Sequence, residues 1–218
     1  SYQQNYVRLR GVRLYYEAFG RAQPERKPIV LIHGATGTGH SNWHWIAPLL
    51  ARTYHVIVPD CRGHGRSKND SPSYAFAEMA ADTAALVRAL GYARAHIIGH
   101  SNGGNVALVT LLEHPDIVQS AVLQAANAYV SPDLVEKEPA IFDPDRIARE
   151  NPDWMREMIA LHGPTHGEDY WRDLLRMTLE AIITTPNYTP EDLEGVQRPT
   201  LVIQGACDRV NAPAKHAQ

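Results

Sequence analysis

Through the first 130 residues, short β-branched runs alternate with longer stretches of helical apolar spacing. Val7 to Arg10 and Val12 to Phe19 alternate apolar and polar residues across Gly11, which predicts an antiparallel hairpin at a sheet edge. Pro28 to Ile32 is a continuous apolar run that ends at His33-Gly34, the pattern of a buried strand entering a glycine loop. Asn42 to Ala51 then places Trp43, Ile46, Leu49 and Leu50 at helical spacing. His55 to Val58 is a second buried run, stopped by Pro59-Asp60 and the turn Arg62-Gly63-His64-Gly65. From Tyr74 to Leu90 one face carries Phe76, Met79, Ala80, Thr83, Leu86, Val87 and Leu90, with Gly91 as the stop. A third buried run, Ala95 to Ile98, leads straight into Gly99-His100-Ser101, a helix is expected from Asn102 to Leu112, and Ala121 to Ala125 is the next strand. Buried strands alternating with helices predict a mostly parallel sheet with helices on both faces.

The rhythm changes after residue 130. From Ser131 to about Gln197 the pattern is helical only, with starts at Ser131-Pro132-Asp133 and Thr189-Pro190-Glu191, each a hydroxyl cap followed by Pro at the first helical position. Pro199 to Gly205 returns to an apolar run, which predicts another buried strand. The expected organisation is therefore a core over residues 1–130, an inserted helical lid over 131–197, and the core continued over 198–218. The lid carries Trp154, Met155, Met158, Ile159 and Leu161, then Tyr170, Trp171, Leu174, Leu175, Leu179 and Ile182, at helical spacing. Such stripes pack a lid onto its core, and Trp154 and Trp171 are the candidates for lining a substrate pocket.

Composition narrows the partner. The 218 residues are 44% hydrophobic and 21% charged, enough for one α/β domain. A net charge of −3 with scattered basic residues leaves no footprint for nucleic acid or an anionic membrane, so a small molecule is expected. Cys61 and Cys207 stand apart without metal-type neighbours and are expected to be unpaired thiols. The 11 histidines lack the spacing of a metal site, and neither a metal nor a cofactor is expected. No stretch has the apolar length of a transmembrane helix. Cytoplasmic residence is the default expectation, with a removed leader left open by a start without Met. The sequence gives no oligomeric state.

The candidate chemistry lies at Gly99-His100-Ser101-Asn102-Gly103-Gly104. A serine hydroxyl becomes a useful nucleophile when a base takes its proton and fixed donors meet the oxyanion that forms on the substrate carbonyl. A sharp strand-to-helix turn with small residues two before and two after the serine exposes it for that purpose. The chain holds an internal control, because Gly39-His40-Ser41-Asn42 repeats the same four residues. There Trp43 replaces the second glycine and no strand precedes it, so Ser101 is the predicted nucleophile. Upstream, Leu31-Ile32-His33-Gly34-Ala35 resembles the loop that in α/β-hydrolases gives one backbone N–H of the oxyanion hole, which implies that Ala35 gives one N–H and Asn102, after the serine, the other. His33 is expected to brace the glycine loop through its ring, and Pro59-Asp60-Cys61-Arg62-Gly63-His64-Gly65-Arg66-Ser67 to serve structure.

Taken together, His33-Gly34, Asp60 with Arg62 to Ser67, the Ser101 turn and Gly205-Ala206-Cys207-Asp208 resemble the α/β-hydrolase superfamily in their order along essentially the whole chain. The resemblance implies an α/β-hydrolase fold, a mostly parallel sheet flanked by helices with an inserted helical lid. It implies that Asp208 is the acid that orients a catalytic histidine. That histidine follows one further helix and strand in the family, whereas this chain stops at Gln218. His216 suits a helix surface and is not assigned as the base, and His100 is expected to point away from Ser101. The expectation is a chain truncated before the last strand, helix and histidine, the alternative being a complete chain with a broken triad. A serine at the turn disfavours dehalogenase and epoxide hydrolase chemistry, for which the related enzymes carry Asp there. The expected activity is hydrolysis of a small, fairly hydrophobic carboxylic ester through an acyl-enzyme. Carbon-carbon bond hydrolysis and perhydrolysis use the same triad, and a catalytically silent binding protein is the alternative of another class.

Overall fold

A computed structural model describes residues 1–23, 25–70, 73–208 and 210. The strands are β1 (Tyr2–Leu9), β2 (Val12–Phe19), β3 (Ile29–Ile32), β4 (Val56–Pro59), β5 (Lys68–Asn69), β6 (Ala95–His100), β7 (Val118–Gln124) and β8 (Thr200–Ile203). They form one sheet in the order β1-β2-β4-β3-β6-β7-β8, with β5 beside β2. The β1–β2 hairpin turns at Arg10-Gly11 and pairs antiparallel to β4, and every pairing from β4 to β8 is parallel. The apolar runs at β3 and β4 are therefore buried on both faces. Val30, Ile32 and Ile57 face one core, and Ile29, Leu31, Val56 and Val58 face the other.

Helices α3 (Phe76–Ala89) and α4 (Asn102–Glu113) fill the first core with Phe76, Leu86, Val106 and Leu111. The α3 apolar stripe is the predicted one, and the helix stops at Gly91, whose φ of +80° suits the left-handed residue after a helix end. The opposite core receives Trp43 and Ala47 from two short helices, α1 (Gly39–Trp43) and α2 (Ala47–Leu50). The single helix expected over 42–51 is thus broken. Pro48 has no N–H to give to His44, and the chain turns out between the pieces, leaving Trp45 80% exposed.

Five helices stand between β7 and β8: α5 (Pro132–Ile141), α6 (Pro144–Glu150), α7 (Pro152–His166), α8 (Tyr170–Thr184) and α9 (Pro190–Glu194). Both anticipated starts are helix starts. Thr189 closes a capping box with Asp192, while Ser131 sits at its cap position without a side-chain bond. A third cluster, Phe142, Ile147, Met158, Trp171 and Leu175, packs these helices together and against Ala35 of the core. The expected burial of the last strand is corrected. Among the described residues β8 pairs only with β7, and Leu201, Val202 and Ile203 are exposed, because burial of a parallel strand comes from neighbours its own sequence does not encode. Among the described residues no helix is long and apolar enough to cross a membrane, no group of residues could hold a metal ion, and both cysteines are free thiols.

Candidate active site

Ser101 stands where β6 ends and α4 begins, with φ 55° and ψ −124°, a backbone conformation that L residues adopt at a cost. The turn is held by Ser101 N–H donating to Gln124 O (2.8 Å) and Asn105 N–H donating to Ser101 O (3.1 Å). Its tightness explains the flanking glycines. A Cβ on Gly99 would come within 1.9 Å of Gly103 O, and one on Gly103 within 2.3 Å of Ile32 O.

The Ser101 side opens into a cavity of about 130 Å³ lined by Ala35, Asn102, Asn127, Leu134, Glu138, Phe142 and Ile182, among others. The N–H groups of Ala35 and Asn102 donate to no acceptor among the described residues, so both remain available at the cavity wall. Asn102 begins α4, where the helix dipole adds positive potential. The loop carrying Ala35 is braced from three directions. Gly34 N–H donates to Asn42 Oδ1 (2.8 Å), which ties the loop to α1. His33 Nδ1–H donates to Gly34 O (2.8 Å), and its Nε2 accepts from Cys61 N–H (2.9 Å). From α7, His162 Nε2–H donates to Thr36 O (2.7 Å), and its Nδ1 accepts from Gly65 N–H (2.8 Å). Each ring thus has one donor and one acceptor matched, which requires the neutral form. Burial is the main cause pushing both histidines down to about 4.

The segment after β4 is structural, as expected. Asp60 accepts from Gly39 N–H and Arg66 N–H, both at 2.9 Å, and Arg62 grips Asp82 through two bonds of 2.6 and 2.8 Å. His64 bridges Arg62 O and the Tyr74 hydroxyl, each at 3.0 Å.

Asp208 follows β8 and lies at the same end of the sheet as Ser101, since His100, Gln124 and Ile203 are register neighbours on β6, β7 and β8. Its carboxylate accepts from Gln204 Nε2 (3.0 Å) and Val210 N–H (2.9 Å), and Val210 lines the Ser101 cavity. His100 lies against Gly34, makes no bond to Ser101, and is pushed down by burial while the Asp208 charge pulls it up. Among the described residues no histidine reaches the Ser101 hydroxyl, and His216 lies outside them.

Trp154 and Trp171 stand behind the cavity wall. Trp171 is 4% exposed in the third cluster, and Trp154 donates to Thr36 Oγ1 (3.3 Å) and meets Phe142 edge-on at 5.9 Å. His162 and Glu138 stand at this site without having been expected from the sequence. Both carry a readable signal. His162 continues the line Trp154, Met158 at steps of four, and Glu138 lies midway between Leu134 and Phe142 in the same way, a polar residue on an apolar helix face.

Residues 27–183 match the family described as alpha/beta hydrolase fold. A fluoroacetate dehalogenase from Burkholderia sp. is 39% identical over 115 residues, 50% of this chain and 38% of that protein, so the match spans less than half that relative's length. The human serine hydrolase BPHL is 26% identical across 97% of this chain and 72% of its own. Among solved structures, a hydrolase from Pseudomonas aeruginosa PA01 superposes with a TM-score of 0.75 at 27% identity, covering 98% of this chain and 83% of that one.

Proposed function

Because this chain belongs to the alpha/beta hydrolase fold family, we propose that it is a serine hydrolase that cleaves small, fairly hydrophobic carboxylic esters through an acyl-enzyme. The observation that carries this reading is Ser101 itself, held at φ 55° in a glycine-flanked turn that opens onto a cavity beside two unengaged backbone N–H groups. Ser101 Oγ attacks the ester carbonyl, its proton passes to a base, and the carbonyl oxygen gains negative charge. The Ala35 and Asn102 N–H groups meet that charge without reorganising, a contribution of about 3 kcal/mol per donor in comparable sites. Collapse expels the alcohol, which takes up the proton, and water then releases the acid by the same steps in reverse order. Asp208 is the acid that orients and supports the base as it becomes cationic. The helices over residues 131–197 act as a lid, with Leu134, Phe142 and Ile182 giving the cavity its apolar wall and Trp154 and Trp171 holding that wall from behind.

The alternative of another class is a catalytically silent binding protein on the same fold. Turnover of p-nitrophenyl butyrate by the complete reading frame separates the two. The hydrolase reading expects saturable turnover and an Asp208→Asn variant slowed by roughly 10⁴-fold with KM little changed. Absence of turnover, or full activity in Asp208→Asn, would contradict the assignments.

A further inference from the structure

Four carboxylates are buried among the described residues: Glu17, Asp60, Asp82 and Glu138. Three of them are met by donors. Glu17 accepts from the Tyr2 and Tyr15 hydroxyls, with His40 also within 3.2 Å, Asp60 accepts from two backbone N–H groups, and Asp82 accepts from the Arg62 guanidinium. Glu138 is 3% exposed, yet among the described residues no N–H, hydroxyl or cation bonds to its carboxylate. Burial alone shifts its proton affinity upward.

Its position says what could meet it. Leu134, Glu138 and Phe142 fall on one face of α5 and its cap at steps of four, and all three line the cavity that holds Ser101. Beside Ser101, Asn102 and Asn127, the rest of that wall is apolar, from Ala35, Ile141, Phe142, Ile182 and Val210. A buried charge without a partner is costly, and structures retain such groups where a ligand supplies the partner. A cavity of about 130 Å³ is close to the roughly 150 Å³ that accommodates a benzene ring, room for a short hydrocarbon segment.

We propose that Glu138 is a specificity-determining residue of the Ser101 cavity, and that it selects small ligands and esters carrying a protonated amine. The apolar wall seats the hydrocarbon of the substrate and the ammonium group donates to the carboxylate. The ester part of this assignment rests on the hydrolase reading above, while the ammonium preference stands on the cavity alone.

The test is a calorimetric titration of the complete reading frame carrying Ser101→Ala, with n-butyl-, n-pentyl- and n-hexylammonium chloride against the matching primary alcohols. The expected result is an ammonium ion bound roughly tenfold or more tighter than its alcohol, the margin of a charge-assisted over a neutral hydrogen bond. In the same protein with Glu138→Gln, which keeps size and hydrogen-bonding capacity, that preference should vanish. Equal binding of amine and alcohol, or a preference that survives Glu138→Gln, would overturn the proposal. The comparison of ammonium with alcohol in the Ser101→Ala protein keeps the proposal falsifiable even where Glu138→Gln fails to fold. Turnover of p-nitrophenyl butyrate, measured separately, reports on Ser101: its absence beside an intact ammonium preference would defeat the ester reading and leave Glu138 assigned.

Discussion

Gly39-His40-Ser41-Asn42 and Gly99-His100-Ser101-Asn102 carry the same four residues, and the fold uses them three helix positions apart. In the first, Thr38 is the cap of α1 and Ser41 lies inside the first turn, where Ser41 N–H donates to Thr38 Oγ1 (3.1 Å) and Thr38 N–H donates to Ser41 Oγ (2.9 Å). In the second, Ser101 is itself the cap position of α4, at φ 55°, with its hydroxyl left toward a cavity. The flanks decide. A strand pinned on both sides delivers the chain to Ser101, and Gly103 lets α4 pass within 2.3 Å of Ile32 O, measured to the Cβ position a larger residue would need. At the first copy Trp43 fills the place of that glycine and is buried against β3 and β4. The hydroxyl of one serine is consumed by local bonding, and that of the other is spared.

The two copies meet at one loop. Asn42 of the first holds Gly34 N–H, and the second opens beside Ala35. The largest difference expected between them is in turnover: Ser101→Ala should lower ester hydrolysis by roughly 10⁴-fold or more, and Ser41→Ala should leave it within about twofold, as measured by kcat/KM. Next is Gly103→Ala, whose methyl group meets backbone on two sides; a loss of about 3 kcal/mol is expected in urea unfolding, and an unchanged midpoint would show that the turn is looser than described.

The loop shared by both copies depends on neutral His33 and His162. Their folded values of about 4 lie below the unfolded 6.5, so the unfolded chain binds protons first as the pH falls. Stability should be complete above about pH 6.5 and decline toward pH 4, by an order of 3 kcal/mol for each ring at the lower limit. Melting followed across that window checks the slope, and His162→Gln should flatten it. The smallest effect is Ser41→Ala on stability, a loss of about 1 kcal/mol for the capping box, read from the same urea transitions.

The central strands were legible because a parallel strand covered on both faces reads as an unbroken apolar run, as β3 and β4 do. The Ser101 turn was legible because its glycines and the strand before it are local. What escaped the sequence depends on distance. β8 has the composition of a buried strand and is exposed because it has one neighbour among the described residues, and the 42–51 helix is broken by Pro48. His162 finds partners 97 and 126 residues away, which helical spacing can hint at by placing it on a buried face but cannot name. Glu138 is a similar case: its face was readable, and its lack of a partner was visible only once α5 was set over Ser101.

The distinction between the two serines is most directly tested by reacting the complete reading frame with a fluorophosphonate and mapping the adduct by peptide mass. A single adduct on Ser101, abolished by Ser101→Ala and unaffected by Ser41→Ala, is the expected result. An unmodified Ser101, or an adduct on Ser41, would contradict the assignment of the nucleophile.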